Sequence, residues 1–153
     1  MNTKETTNDV LNDLVKINND RVAGYQRAIN ETKDLDVDLK GMFEGMVKES
    51  EQYKLELVNK IRQHGGTVES GTTTSGKIYR AWMDVKATFT GSDRKAILSS
   101  CEFGEDAAQR SYEAAMGEGN ELPGDAVTLI AEQQRSLKNS HDIIKKYRDA
   151  HNA

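Results

Sequence analysis

Proline occurs once in this sequence and aromatic residues make up only 6% of it. With so little proline, long helices can run unbroken, and with so few aromatic side chains an all-β core would lack its usual filling. Cysteine is also down to one residue, Cys101, so no internal disulfide can form, and the usage is consistent with a reducing, cytoplasmic setting. No run of residues approaches the ~20 apolar positions needed to span a bilayer. The opening MNTKETTNDV lacks the apolar centre of a signal peptide, so a cytoplasmic location and no transmembrane segment are expected. Charge of one sign is missing as well: the net charge is -4, with Lys and Arg spread among Asp and Glu. Without a basic stripe for a phosphate backbone, nucleic acid is not an expected partner. No Gly-rich phosphate loop, nucleophile elbow or Ser/His/Asp arrangement occurs in a suitable context, so no catalytic residue is expected.

What is present is helical periodicity in a chain of 153 residues, 30% charged and 36% hydrophobic. That length suits one domain, spanning 1–153, with a core that needs no disulfide. After Thr6 and Thr7, candidate N-caps, Leu11, Leu14, Val15, Asn18, Val22, Tyr25 and Ile29 fall on one helical stripe. A polar break from Glu31 to Asp36 precedes a second stripe of Leu39, Met42, Phe43, Met46, Ser50, Tyr53, Leu57 and Ile61, stopped by Gly65 and Gly66. The third stripe, Ile97, Cys101, Glu105, Ala108, Tyr112 and Ala115, has Ser92 and Asp93 as capping candidates and ends at Gly117 and Gly119. The fourth follows Pro123 and Gly124 through Val127, Ile130, Gln134, Leu137, His141 and Ile144.

Connection lengths set the expected topology. Short links pair the first two helices and the last two as antiparallel hairpins, while residues 65–91 are long enough to cross the molecule. The expected fold is therefore all-α: a four-helix bundle of two hairpins joined by one long crossover, the ferritin-like connection. Within the crossover Ile78, Trp82, Val85 and Phe89 keep helical spacing and predict a short amphipathic helix. A single core should contain Leu14, Tyr25, Met46, Tyr53, Leu57, Ala108, Tyr112, Ile130 and Leu137, and two separate cores would contradict the bundle. One internal repeat supports the two-hairpin picture: the seven-residue step from Asn18 to Tyr25 recurs from Glu105 to Tyr112.

The segments LNDLVKINNDRVAGYQRA, KIRQHGG, GKIYRAWMDVK and CEFGEDAAQRSYEAAM resemble the ferritin-like superfamily, and more closely a bacterial four-helix-bundle family of unknown function within it. The resemblance implies a bundle and, in metal-bearing branches such as rubrerythrin, a di-iron centre midway along the core. Such a centre draws carboxylates from two helices and a Glu-x-x-His pair from each of the others. This chain contains no Glu-x-x-His. Its inward residues at the matching depth are Asn18, Ser50, Tyr53, Glu105, Gln134 and Leu137, a set with one carboxylate. No metal and no cofactor are therefore expected. A polar layer of Asn18, Tyr25, Ser50, Tyr53, Glu105, Tyr112, Gln134 and His141, fixing helix register, is expected instead.

The expected role is that of a non-enzymatic structural or interaction module, compatible with homo-oligomerisation. Two alternatives stand beside it. One is an iron- or manganese-binding oxidoreductase with an atypical site around Glu105, recruiting Glu102, Glu49 or Glu132. The other is a membrane-surface or partner-binding protein acting through the Trp82 helix, whose Lys77, Arg80 and Lys86 suit anionic lipid.

Overall fold

The structure, a computed structural model, describes residues 3–69, 77–85, 93–117 and 121–152. Among the described residues there are helices and no strands: α1 (Thr3–Glu31), α2 (Val37–Gln63), α3 (Lys77–Val85), α4 (Arg94–Ala115) and α5 (Gly124–Asn152). Local chemistry sets several of their ends. At Thr32 both the backbone N–H and the hydroxyl turn back to the Ala28 carbonyl, at 3.0 and 2.6 Å, and α1 stops. Gly65 adopts φ 71 and Gly66 N–H donates to Ile61 O at 2.9 Å, the left-handed stop that closes α2. A Cβ at Gly66 would collide with the Asn8 side chain, so both glycines are needed there. The Asp93 carboxylate accepts from Ala96 N–H at 2.7 Å and caps α4. Thr6 and Thr7 are not caps: α1 begins at Thr3 and buries both inside the helix. Ser92, Phe89 and Gly119 lie outside the described residues, as does Lys86.

Side-chain pairings fix the helix directions. Asn8 meets Thr67 at one end of α1 and α2, and the rings of Tyr25 and Phe43 lie 5.7 Å apart nearer the other, so the two run antiparallel. Likewise α4 and α5 oppose each other, with Tyr112 on Gln133 and Glu102 on Arg148. Across the hairpins α1 runs antiparallel to α4, through Asn18 with Tyr112 and Tyr25 with Glu105. In the same way α2 opposes α5, through Lys60 with Asp125 and Glu49 with Ser140. It follows that α2 and α4 point the same way, and the connection carrying α3 must bring the chain back along the molecule.

The nine residues expected in one core divide between two clusters. Leu14, Tyr53, Leu57, Ala108, Tyr112, Ile130 and Leu137 share one, whereas Tyr25 and Met46 pack with Phe43, Ile97, Leu98, Cys101 and Ile144 in the other. The cause is polar. A buried layer centred on Arg21 and Glu105 interrupts the apolar packing, and α1, α2, α4 and α5 each contribute to the clusters on both sides of it. The expected single core is thus corrected to two clusters, but they are stacked along the same four helices rather than divided between separate sets of helices.

Almost the whole circumference of α1 is buried from Val10 to Asn18, because α3 lies against its outer side. The polar row Asn8, Asn12, Lys16 and Asp20, spaced one helical turn apart, holds the crossover. Asn8 and Asn12 take up the backbone N–H groups of Thr67 and Glu69, at 2.9 and 2.8 Å, and Lys16 pairs with Glu69 at 2.8 Å. Asp13 accepts from the N–H groups of Ile78 and Tyr79 at the start of α3, and Asp20 accepts from Tyr79 Oη and Trp82 Nε1, each at 2.9 Å. Trp82 is thus buried against α1, so its ring is not the exposed anchor that a docking reading of this helix expects.

Candidate functional site

The buried polar layer is built around Arg21. Its guanidinium grips Glu105 with two donors, Nε to Oε1 at 2.7 Å and Nη2 to Oε2 at 3.2 Å. Nη1 donates to Ser50 Oγ at 2.7 Å, and Nη2 lies 2.9 Å from Glu49 Oε1 and 3.6 Å from Met46 Sδ. The Tyr25 hydroxyl donates to Glu105 Oε1 at 2.6 Å, while its ring lies 5.2 Å from the guanidinium carbon. Both members of the central pair are almost wholly enclosed, at 3% and 2% side-chain exposure, so each charge depends on the other.

From Ser50 the hydrogen bonds continue in one direction. Ser50 Oγ donates to Asn18 Oδ1 at 3.0 Å, Asn18 Nδ2 to the Tyr112 hydroxyl at 2.9 Å, and Tyr112 to Gln133 Oε1 at 2.7 Å. Gln133 then reaches Glu56 at the rim. At the other side, Glu49 accepts from Ser140 Oγ at 2.8 Å and is partly exposed, at 25%. The internal repeat acquires a meaning here. The first residue of each copy bonds the last residue of the other: Asn18 with Tyr112, and Glu105 with Tyr25.

Burial and charge hold these groups in fixed protonation states. Burial would lower the Arg21 pKa, but Glu105 and the surrounding acceptors overcome that and raise it, so the guanidinium stays charged. Burial, reinforced by Glu105, pushes the Tyr25 phenol well above its ordinary value. Tyr112 is raised by burial too, and Cys101 is pushed up by burial and by Glu105, which leaves it an inert thiol.

The expected layer needs four corrections. On α5 it is Gln133, not Gln134, that enters: Gln134 is partly buried and offers its backbone carbonyl to Gln109. His141 lies outside the layer on the seam between α4 and α5, where its Nε2 meets Asp106 Oδ1 at 2.7 Å, and Ser140 takes the inward place. Tyr53 is buried, but its hydroxyl has no hydrogen-bond partner within the layer. Arg21, the fourth, lies on none of the sequence stripes yet is the centre of the layer. Of the alternative metal ligands, Glu49 reaches the rim of the layer, Glu102 pairs with Arg148 and Glu132 is exposed, so they do not converge on Glu105.

A dinuclear centre does not fit this donor set. Both Glu105 oxygens and one Glu49 oxygen already face N–H donors of a charged guanidinium that stands among them. The remaining inward groups are two amides, a hydroxyl and two phenols, which are poor substitutes for anionic ligands. The side chains thus supply their own cation.

Fold and layer together define an all-helical domain with an ion-paired polar centre. Residues 6–118 match the model of the domain of unknown function DUF2383, and the chain belongs to that family. No curated protein matches the chain. Among the described residues no helix is long and apolar enough to cross a membrane.

Proposed function

We infer that the chain folds as one ferritin-like four-helix bundle whose centre has been converted from chemistry to architecture, and that it works in the cytoplasm as a non-enzymatic structural or interaction module. The observation that carries this reading is the placement of Arg21, whose bidentate grip on Glu105 and contact with Glu49 engage the carboxylates that reach the bundle centre. Antiparallel α1–α2 and α4–α5 pairs with α2 and α4 parallel support the ferritin-like connection. The reciprocal bonds between the two copies of the repeat support descent from paired hairpins.

The test is oxidation of ferrous iron in air by protein purified without chelators. The expected outcome is no rapid ferroxidase phase and no two-ion binding that depends on Glu105. Saturable binding of two ferrous ions per chain, abolished in Glu105→Gln, would establish the oxidoreductase reading and overturn this one.

A further inference from the structure

We propose that the seam between α4 and α5 carries a mononuclear site for a divalent transition-metal ion, formed by Glu102, Asp106 and His141 and separate from the Arg21 layer. Glu102 and Asp106 are four residues apart on α4 and so share one face a turn apart, and antiparallel α5 brings His141 level with them. One ligand atom from each lies within 4.8 Å of the other two. The imidazole is already oriented: Nε2 faces the Asp106 carboxylate at 2.7 Å, while Nδ1 lies 3.3 Å from Asp142 Oδ1. With an ion bound, a proton on Nδ1 toward Asp142 would leave Nε2 to ligate beside Asp106.

A second observation comes from Glu102. Arg148 Nη1 donates to its Oε1 at 2.7 Å, yet Oε2, buried and only 2.6 Å from the same nitrogen, receives no hydrogen bond. Both Glu102 oxygens thus face one guanidinium nitrogen, a single cationic partner that a metal ion would have to displace. Two carboxylates balance a divalent charge, one imidazole favours zinc, iron or manganese over magnesium and calcium, and half-exposure leaves the remaining positions to water. Arg148 is the competitor, since its positive charge must leave Glu102 when an ion enters.

Zinc binding to the full chain by calorimetry decides the matter, with helical content checked for each variant. The wild type should take up one zinc ion saturably, unaffected by excess magnesium. His141→Ala and Asp106→Asn should weaken that binding by at least the roughly 10- to 100-fold that loss of an outer partner costs a metal site. Arg148→Ala should tighten it. His64→Ala, which removes the imidazole paired with Asp125 at the far end of α5, should leave it unchanged. Absence of saturable binding, equal affinity in His141→Ala, or weaker binding in Arg148→Ala would overturn the site and leave the three residues as ordinary ion pairs. Because the readout depends on His141 and not on Glu105, its failure would not touch the reading of the bundle centre.

Discussion

Arg21 shows what sequence periodicity misses. Along α1 the inward seam is Leu14, Asn18, Arg21, Tyr25 and Ala28, whereas the apolar stripe selects Val22, which is buried beside Arg21, and Ile29, which is only partly buried. The same choice was made on α5, where Ala126, Gln133 and Ser140 are buried in place of Val127, Gln134 and His141. At each step two adjacent residues could face inward, and hydrophobicity selects the more apolar or larger one. A buried charge is legible only with its partner, and Glu105 lies 84 positions away from Arg21. Glu105, Asn18, Ser50 and Tyr112 were legible because they break otherwise apolar stripes. At this scale the phenols give a pH prediction. Tyr25 and Tyr112 have folded pKa values raised by burial, so their contribution to stability is complete below the ordinary tyrosine value near 10 and is lost as pH rises through it toward the folded values. Tyr79, raised to about 12 by burial and by its bond to Asp20, follows the same sign. In a spectrophotometric alkaline titration, most phenolate should appear together with loss of helical circular dichroism. Independent ionisation of all five tyrosines near pH 10 in a folded chain would contradict the burial described here. Leu57, fully enclosed, should cost ~2 to 5 kcal/mol as Leu57→Ala in urea unfolding. A negligible change would place it outside the core.

Among the elements, the four long helices and their links were readable because each has a long stripe and because several ends are marked: the turn after Thr32, the stop at Gly65 with Gly66, and the Asp93 cap that starts α4. The crossover helix was readable from Ile78 and Trp82, but its seat on α1 was not, since the row Asn8, Asn12, Lys16 and Asp20 has the look of a solvated face. Its side chains are spent on α3 and the segment before it rather than on water. Removing the shared acceptor of Tyr79 and Trp82 should therefore loosen α3 without unfolding the long helices. Trp82 is the only tryptophan, so its fluorescence reports on α3 alone. In Asp20→Ala the emission should shift to the red and become more accessible to iodide while overall helicity is kept. An unchanged spectrum would mean that apolar packing of Trp82 and Ile78 alone seats the helix.

At the scale of the whole molecule, the described residues form two apolar clusters joined through a polar layer, and the layer sets how the helices align. Apolar contacts tolerate sliding, whereas a bidentate guanidinium with partners on α2 and α4 permits one register of α1 against both. A buried pair of this kind is expected to add specificity more than net stability: removing one partner strands a charge, while replacing both with apolar groups removes the desolvation cost as well. Equilibrium unfolding of Arg21→Met, Glu105→Leu and the double variant measures this directly. Each single substitution should cost about 3 to 5 kcal/mol, and the double variant should cost clearly less than their sum, recovering much of either loss. Additive losses would mean that Arg21 and Glu105 do not neutralise each other at the centre of the bundle, and the account of that centre would fail.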